Sequence, residues 1–200
     1  TGRRLYTEYA VSPPIFDYHC HLPPAEIAEN KQYDSITELW LGGDHYKWRA
    51  LRANGVAEDL ITGHAGPWEK FQAWAQTVPK AIGNPLYQWT HLELKRYFGI
   101  DDLLAPSTAR SIFDRCNEQI ESGDFRPRKL MERMNVHVVC TTDDPIDNLS
   151  HHASIAADSS FTIGVFPAFR PDKVFAISNT SAWNNYVDQL AQAANIEISS

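Results

Sequence analysis

The order of strand-like and helix-like segments constrains this chain more than any other feature. Pro14–Leu22 reads as a strand, stopped by Pro23-Pro24. The next strand-like run is Val136–Thr142, and a third, Phe161–Phe169, follows a helical stretch. Between the first two lie about 110 residues with helical spacing of their apolar positions. Strand, long helical excursion, strand, helix, strand, helix is the pattern of a parallel α/β sheet. An ordinary crossover takes roughly a dozen residues or a little more. Residues 25–135 therefore read as a mainly helical insertion mounted on the first strand-to-helix connection.

Within that insertion, Ser35 to Leu41 is expected to be a short helix stopped by Gly42-Gly43. Asp44 caps a helix running through Tyr46, Trp48 and Leu51 to Asn54-Gly55. Val56–Ile61, Trp68–Thr77, Pro85–Tyr97, Ser107–Glu121 and Arg128–Met134 follow, with Asn84 as a cap and Gly99 as a stop. After the second strand, Asp143-Asp144-Pro145 reads as a helix start leading into Ile146–Ala157, and Trp183–Ala194 closes the set.

Composition narrows the function classes. Hydrophobic residues make up 43%, enough for a sizeable core, while a net charge of −7 argues against a nucleic-acid module and a polybasic membrane binder. No apolar run approaches the ~20 residues of a spanning helix. Cys20, Cys116 and Cys140 are odd in number and lack motif spacing, which suits a reducing cytoplasm. The N-terminal TGRRLYTEYA has no following apolar stretch and does not read as a secretory signal.

His19 and His21 carry the sharpest chemical signal. Alternate residues of a strand share a face, so the two imidazoles point the same way, with Ile15 and Asp17. Phe16, Tyr18, Cys20 and Leu22 are expected on the opposite face, packed under helices. Two imidazoles at a strand's C-terminal end can converge on one divalent ion, and parallel α/β folds place their chemistry at that end. A bare His-x-His also arises by chance, and a catalytic zinc takes three protein ligands. The remaining histidines do not repeat the placement: His137 reads as a packed or edge residue, His91 as a satisfied helix histidine, and His151 and His152 as solvated. Asp143 and Asp144 are candidates for a base by composition, although Asp144-Pro145 fits a helix start.

Five spaced motifs resemble the uronate (glucuronate) isomerase family of the amidohydrolase superfamily. They are Asp17-Tyr18-His19-Cys20-His21-Leu22-Pro23-Pro24; Gly43-Asp44-His45-Tyr46-Lys47-Trp48-Arg49-Ala50; Gly83-Asn84-Pro85-Leu86-Tyr87 with Trp89-Thr90-His91-Leu92-Glu93-Leu94; Thr141-Thr142-Asp143-Asp144-Pro145; and Phe169-Arg170-Pro171-Asp172-Lys173. The resemblance runs in order along essentially the whole chain. It implies an α/β chain that is the N-terminal portion of a (β/α)8 barrel, with about three strands and the insertion after strand 1. It implies an aldose–ketose isomerase that interconverts D-glucuronate and D-fructuronate, and D-galacturonate and D-tagaturonate. His19 and His21 would be metal ligands, with zinc the first choice. His45 and Tyr46 would be catalytic residues touching the open-chain sugar, and Arg170 would bind its oxygens or carboxylate.

Elementary chemistry agrees with those roles. A first-turn His45 meets the positive end of a helix dipole, which disfavours imidazolium, and Tyr46 offers a phenol for polarising a carbonyl. Arg170 at a strand end offers a fork matched to a carboxylate. The plainer alternatives are that His45 and Tyr46 cap and pack their helix and that Arg170 forms a loop salt bridge. Family chains are more than twice this long, so the aspartate that completes the metal site and serves as base is expected outside this sequence, and the chain alone is expected to be inactive. A metal-dependent hydrolase of the same superfamily, or a non-catalytic helical assembly fragment, are the rival readings. Exposed strand edges would favour self-association into a homo-oligomer.

Overall fold

The computed structural model describes residues 1–198 and divides into two compact units, Thr1–Lys31 with Pro127–Ser200, and Gln32–Arg126. The first unit opens with α1 (Gly2–Leu5) and a π-helical turn, Tyr6–Ala10, and continues with β1 (Ile15–Cys20) and α2 (Pro24–Ala28). The second unit holds α3 (Ile36–Leu41), α4 (His45–Ala53), α5 (Pro67–Thr77), α6 (Pro85–Phe98) and α7 (Ala109–Glu121). The chain then returns to the first unit through α8 (Pro127–Arg133), β2 (Val136–Asp143), α9 (Ser150–Ala157), β3 (Gly164–Phe169) and α10 (Thr180–Ala194). Thus α2 and α8, inside the expected insertion, belong to the sheet-bearing unit. No helix among the described residues is long and apolar enough to cross a membrane.

The sheet is three-stranded and parallel, in the order β1-β2-β3. Its core is Ile27 of α2, Met131 of α8, Val139 of β2 and Ile155 of α9, with Phe161 and Ile163. Cys20, Leu22, Val136 and Val165 pack against that cluster. Parallel strands normally bury both faces, yet here Tyr18 is 85% exposed and Phe169 78% exposed.

Two expectations are corrected in this unit. The helix after β2 begins at Ser150 rather than Ile146. Asp144 Oδ1 accepts the Ile146 N–H, Asp147 Oδ1 the Leu149 N–H, and Asn148 Oδ1 the Ser150 N–H. These side-chain-to-backbone turns compete with helical bonding and delay the helix by four residues. The third strand begins at Gly164, after Phe161 and Ile163, which pack in the core outside the ladder.

The helical unit buries Phe71 and Trp74 of α5 completely, as it does Leu51 of α4, Leu94 of α6 and Ile112 of α7. Trp40 stacks on Phe71 with ring centroids 6.1 Å apart. Ser35 caps α3 by accepting the Glu38 N–H, and Asn84 caps α6 by accepting the Leu86 N–H. Gly99, at φ 64°, ends α6 in the left-handed conformation that glycine adopts without strain. Val56–Ile61 shortens to a 3-10 turn at Glu58–Leu60.

Candidate active site

The C-terminal end of β1 brings His19 and His21 together. Their Nε2 atoms stand 3.0 Å apart and their ring centroids 4.8 Å apart, edge to face. Both residues are exposed. One imidazole donates to the other. Two nitrogens at ~2.05 Å from one tetrahedral ion would be about 3.3 Å apart, slightly wider than this hydrogen-bonded pair. No group of three such donors exists among the described residues.

The strand reaches this arrangement by an irregularity the sequence hides. Asp17 pairs with Val139 and Cys20 with Thr141, so three residues of β1 advance against two of β2. This bulge breaks strict alternation. Asp17 therefore lies beside Cys20 rather than with the histidines, and its carboxylate adds to the burial that raises the Cys20 thiol. Asp17 Oδ1 also accepts the His19 N–H at 3.2 Å. Of the four residues expected under the helices, Cys20 and Leu22 pack there; Phe16 and Tyr18 are exposed.

At the ends of β2 and β3 the carboxylates are committed. Asp143, buried, accepts from the Thr141 hydroxyl at 2.7 Å. Asp144 accepts from Tyr186 Oη at 3.0 Å and pairs with Lys173 at 3.1 Å. Burial alone would raise the Asp144 carboxyl; the Ile146 N–H, Lys173 and Tyr186 outweigh it and hold it below the usual carboxylate range. Both carboxylates already accept hydrogen bonds from neighbouring groups. Arg170 follows β3 directly, is exposed, and donates from Nε to Asp172 Oδ2 at 2.6 Å. His152, expected to be solvated, is buried at 7% exposure and meets Thr141 Oγ1 at 2.8 Å. The T-x-D spacing of Thr141 and Asp143 on one strand was the available signal for that cluster.

His45 and Tyr46 lie in the helical unit, in the first turn of α4, and both are exposed. The His45 ring tilts against Trp48 at 4.7 Å, and Arg49 lies 5.7 Å from the Tyr46 ring. Their helix start is fixed from below. Asp44 Oδ1 accepts the N–H groups of Tyr46 and Lys47, and Asp44 Oδ2 accepts from Lys47 Nζ at 2.8 Å. Burial pushes the Glu93 carboxyl up, against the opposing pull of Lys47. His91 takes the structural part expected of it: Nδ1 donates to Tyr87 O at 2.7 Å, and Nε2 accepts the Leu104 N–H at 2.9 Å. A cleft of about 400 Å³ in this unit, lined by Thr37, Glu38, Trp48, Thr62 and Lys70 among others, contains neither His45 nor Tyr46.

Comparison with known proteins gives a consistent result. The profile of a family described as glucuronate isomerase matches residues 1–200. The uronate isomerase of Pectobacterium carotovorum is 58% identical over 198 residues, and that of Serratia proteamaculans 60% over 198. Each alignment covers 98% of this chain and 42% of the relative. The crystal structure of a Thermotoga maritima uronate isomerase superposes with a TM-score of 0.87 at 35% identity, over 96% of this chain and 42% of that one. A Caulobacter crescentus glucuronate isomerase gives 0.84 at 28% identity, over 92% and 40%. The chain thus spans well under half the length of the relatives it matches.

Proposed function

The chain belongs to the glucuronate isomerase family, and from that premise we propose that it is the N-terminal part of a (β/α)8 enzyme interconverting D-glucuronate and D-fructuronate, and D-galacturonate and D-tagaturonate. The observation that carries this reading is the His19–His21 pair, at the C-terminal end of the first parallel strand with Nε2 atoms 3.0 Å apart. The two imidazoles would hold a divalent ion, zinc first, as two of its protein ligands. Bound there, the ion supplies Lewis-acid stabilisation of charge on a sugar oxygen.

The chain's own residues supply the binding side of the reaction. Arg170 presents a guanidinium to the uronate carboxylate, its Nε already held by Asp172. His45 and Tyr46 offer an imidazole and a phenol to the open-chain sugar, on a helix start that Asp44 fixes. Moving a proton between C2 and C1 also requires a base. Asp143 and Asp144 are engaged elsewhere, which supports placing the base beyond these residues.

The test is elemental analysis and turnover of D-glucuronate by the full-length isomerase carrying H19A or H21A. Loss of tight metal and of activity is expected; unchanged metal content overturns the assignment. The 200-residue chain alone is expected to be inactive, and robust turnover by it would overturn the division of labour proposed here.

A further inference from the structure

Thr141 and Asp143 are alternate residues of β2 and share a face, against which α9 sets His152. All three side chains are buried, Thr141 completely. Thr141 Oγ1 lies 2.7 Å from Asp143 Oδ2 and 2.8 Å from His152 Nε2. A hydroxyl carries one proton. Donated to the carboxylate, it leaves the His152 Nε2–H as the donor to Oγ1. Among the described residues His152 Nδ1 is buried without a partner, and a bare ring nitrogen there costs less than an orphaned N–H. The bonds therefore run in one direction, from Nε2–H to the hydroxyl and from the hydroxyl to the carboxylate.

The far end of this relay holds β3. Asp143 Oδ2 accepts the Ala168 N–H at 3.3 Å, and the Asp143 carbonyl accepts the Arg170 N–H at 2.9 Å. Thr141 Oγ1 also lies 3.3 Å from the Phe166 carbonyl oxygen. Of the backbone groups leading into the Arg170 side chain, the Ala168 N–H is thus held by the cluster's carboxylate and the Arg170 N–H by the backbone of the same aspartate. Beyond them, the guanidinium donates from Nε to Asp172.

We infer that Thr141, Asp143 and His152 form a clamp of positioning residues that sets the aim of the Arg170 guanidinium, and through it the binding of the substrate's carboxylate. The inference rests on the reading of Arg170 as the carboxylate-binding residue. None of the three touches substrate; they act through the end of β3. Removing the hydroxyl lets that end shift, so the loss falls on KM and not on kcat.

The test is a kinetic double-mutant cycle in the full-length isomerase with D-glucuronate, using T141V, D143N and R170A singly and in pairs. T141V and D143N are expected to raise KM about tenfold with kcat within about twofold of wild type. T141S, which keeps the hydroxyl, should restore KM to within about twofold. In the R170A background neither T141V nor D143N should raise KM further. A full additional KM increase in that background overturns the clamp, as does a fall in kcat at constant KM. A wild-type KM in R170A overturns the reading of Arg170 and the clamp with it. A raised KM in R170A beside wild-type values in T141V and D143N overturns the clamp alone. Should T141V fail to fold, D143N and H152Q run the same cycle.

Discussion

Lys47 Nζ lies 2.8 Å from Asp44 Oδ2, while the other oxygen of that carboxylate accepts the N–H groups of Tyr46 and Lys47. One aspartate therefore caps α4 and neutralises a lysine whose side chain is only 10% exposed. D44A removes the cap, worth about 1 kcal/mol, and strands a largely buried cation. The expected loss is about 2–3 kcal/mol in urea unfolding. Burial would raise the Asp44 carboxyl, but the hydrogen bond and charge of Lys47, with the two N–H groups, hold it below its ordinary 3.8. The contribution is thus present above pH 3.8 and fades as pH falls through the lower folded-state value. Wild type and D44A should converge in stability under strong acid; a constant difference would contradict the coupling.

Glu93 behaves with the opposite sign. Its carboxyl is pushed above 4.5, chiefly by burial and secondarily by Asp44, with Lys47 and a hydrogen bond from Trp40 opposing. A raised acid favours the folded state when protonated, and that advantage disappears as pH rises from 4.5 through the folded-state value. E93Q keeps an acceptor for Trp40 and carries no charge. It should be more stable than wild type at neutral pH and indistinguishable from it below pH 4, as read from thermal unfolding at the two pH values.

Arg128 ties three elements of the sheet-bearing unit. Its Nε donates to Ile27 O at 2.8 Å, Nη2 to Ala28 O at 2.9 Å and Nη1 to Asp158, and its guanidinium lies 4.8 Å from the Phe161 ring. The carbonyls of a five-residue helix have few other partners. R128M keeps the apolar stem and should lose about 2 kcal/mol through the two carbonyl bonds and the ring contact. Chemical denaturation reads this directly, and an unchanged midpoint would show that water replaces the guanidinium.

Cys116 is fully buried on α7, and burial raises its thiol to about 12. At pH 8 it is a thiol rather than the reactive thiolate. It should stay unlabelled by an alkylating reagent in native buffer and react on addition of denaturant, as mass spectrometry of its peptide would record. Rapid native labelling would mean that α7 opens.

Much of this architecture is legible in the chain because local signals and tertiary packing agree. Ser35, Asp44, Asn84 and Gly99 mark helix ends where the structure has them. His91 is satisfied within its own helix and by the nearby Leu104 N–H. The family is legible too, because five motifs in order are far more specific than one His-x-His. What resists reading depends on partners that the local pattern does not display. His152 looks like an exposed helix residue until β2 places Thr141 against it. Asp144-Pro145 has the composition of a helix start, yet Asp147 and Asn148 hold the backbone in turns. The grouping of Asp17 fails because the bulge arises from the pairing of β1 with β2, which no property of β1 alone reveals.

That bulge gives β1 an unusual tolerance to changes of length. In a regular strand, gaining or losing one residue inverts every side chain that follows. Here Tyr18 and His19 together occupy the span that one residue would fill, between Asp17 and Cys20 in their ladder positions. Deleting Tyr18 would leave Asp17 and Cys20 opposite the same partners and His19 and His21 on their own side. The strand carries its histidines on a spacer that can be shortened without turning them over.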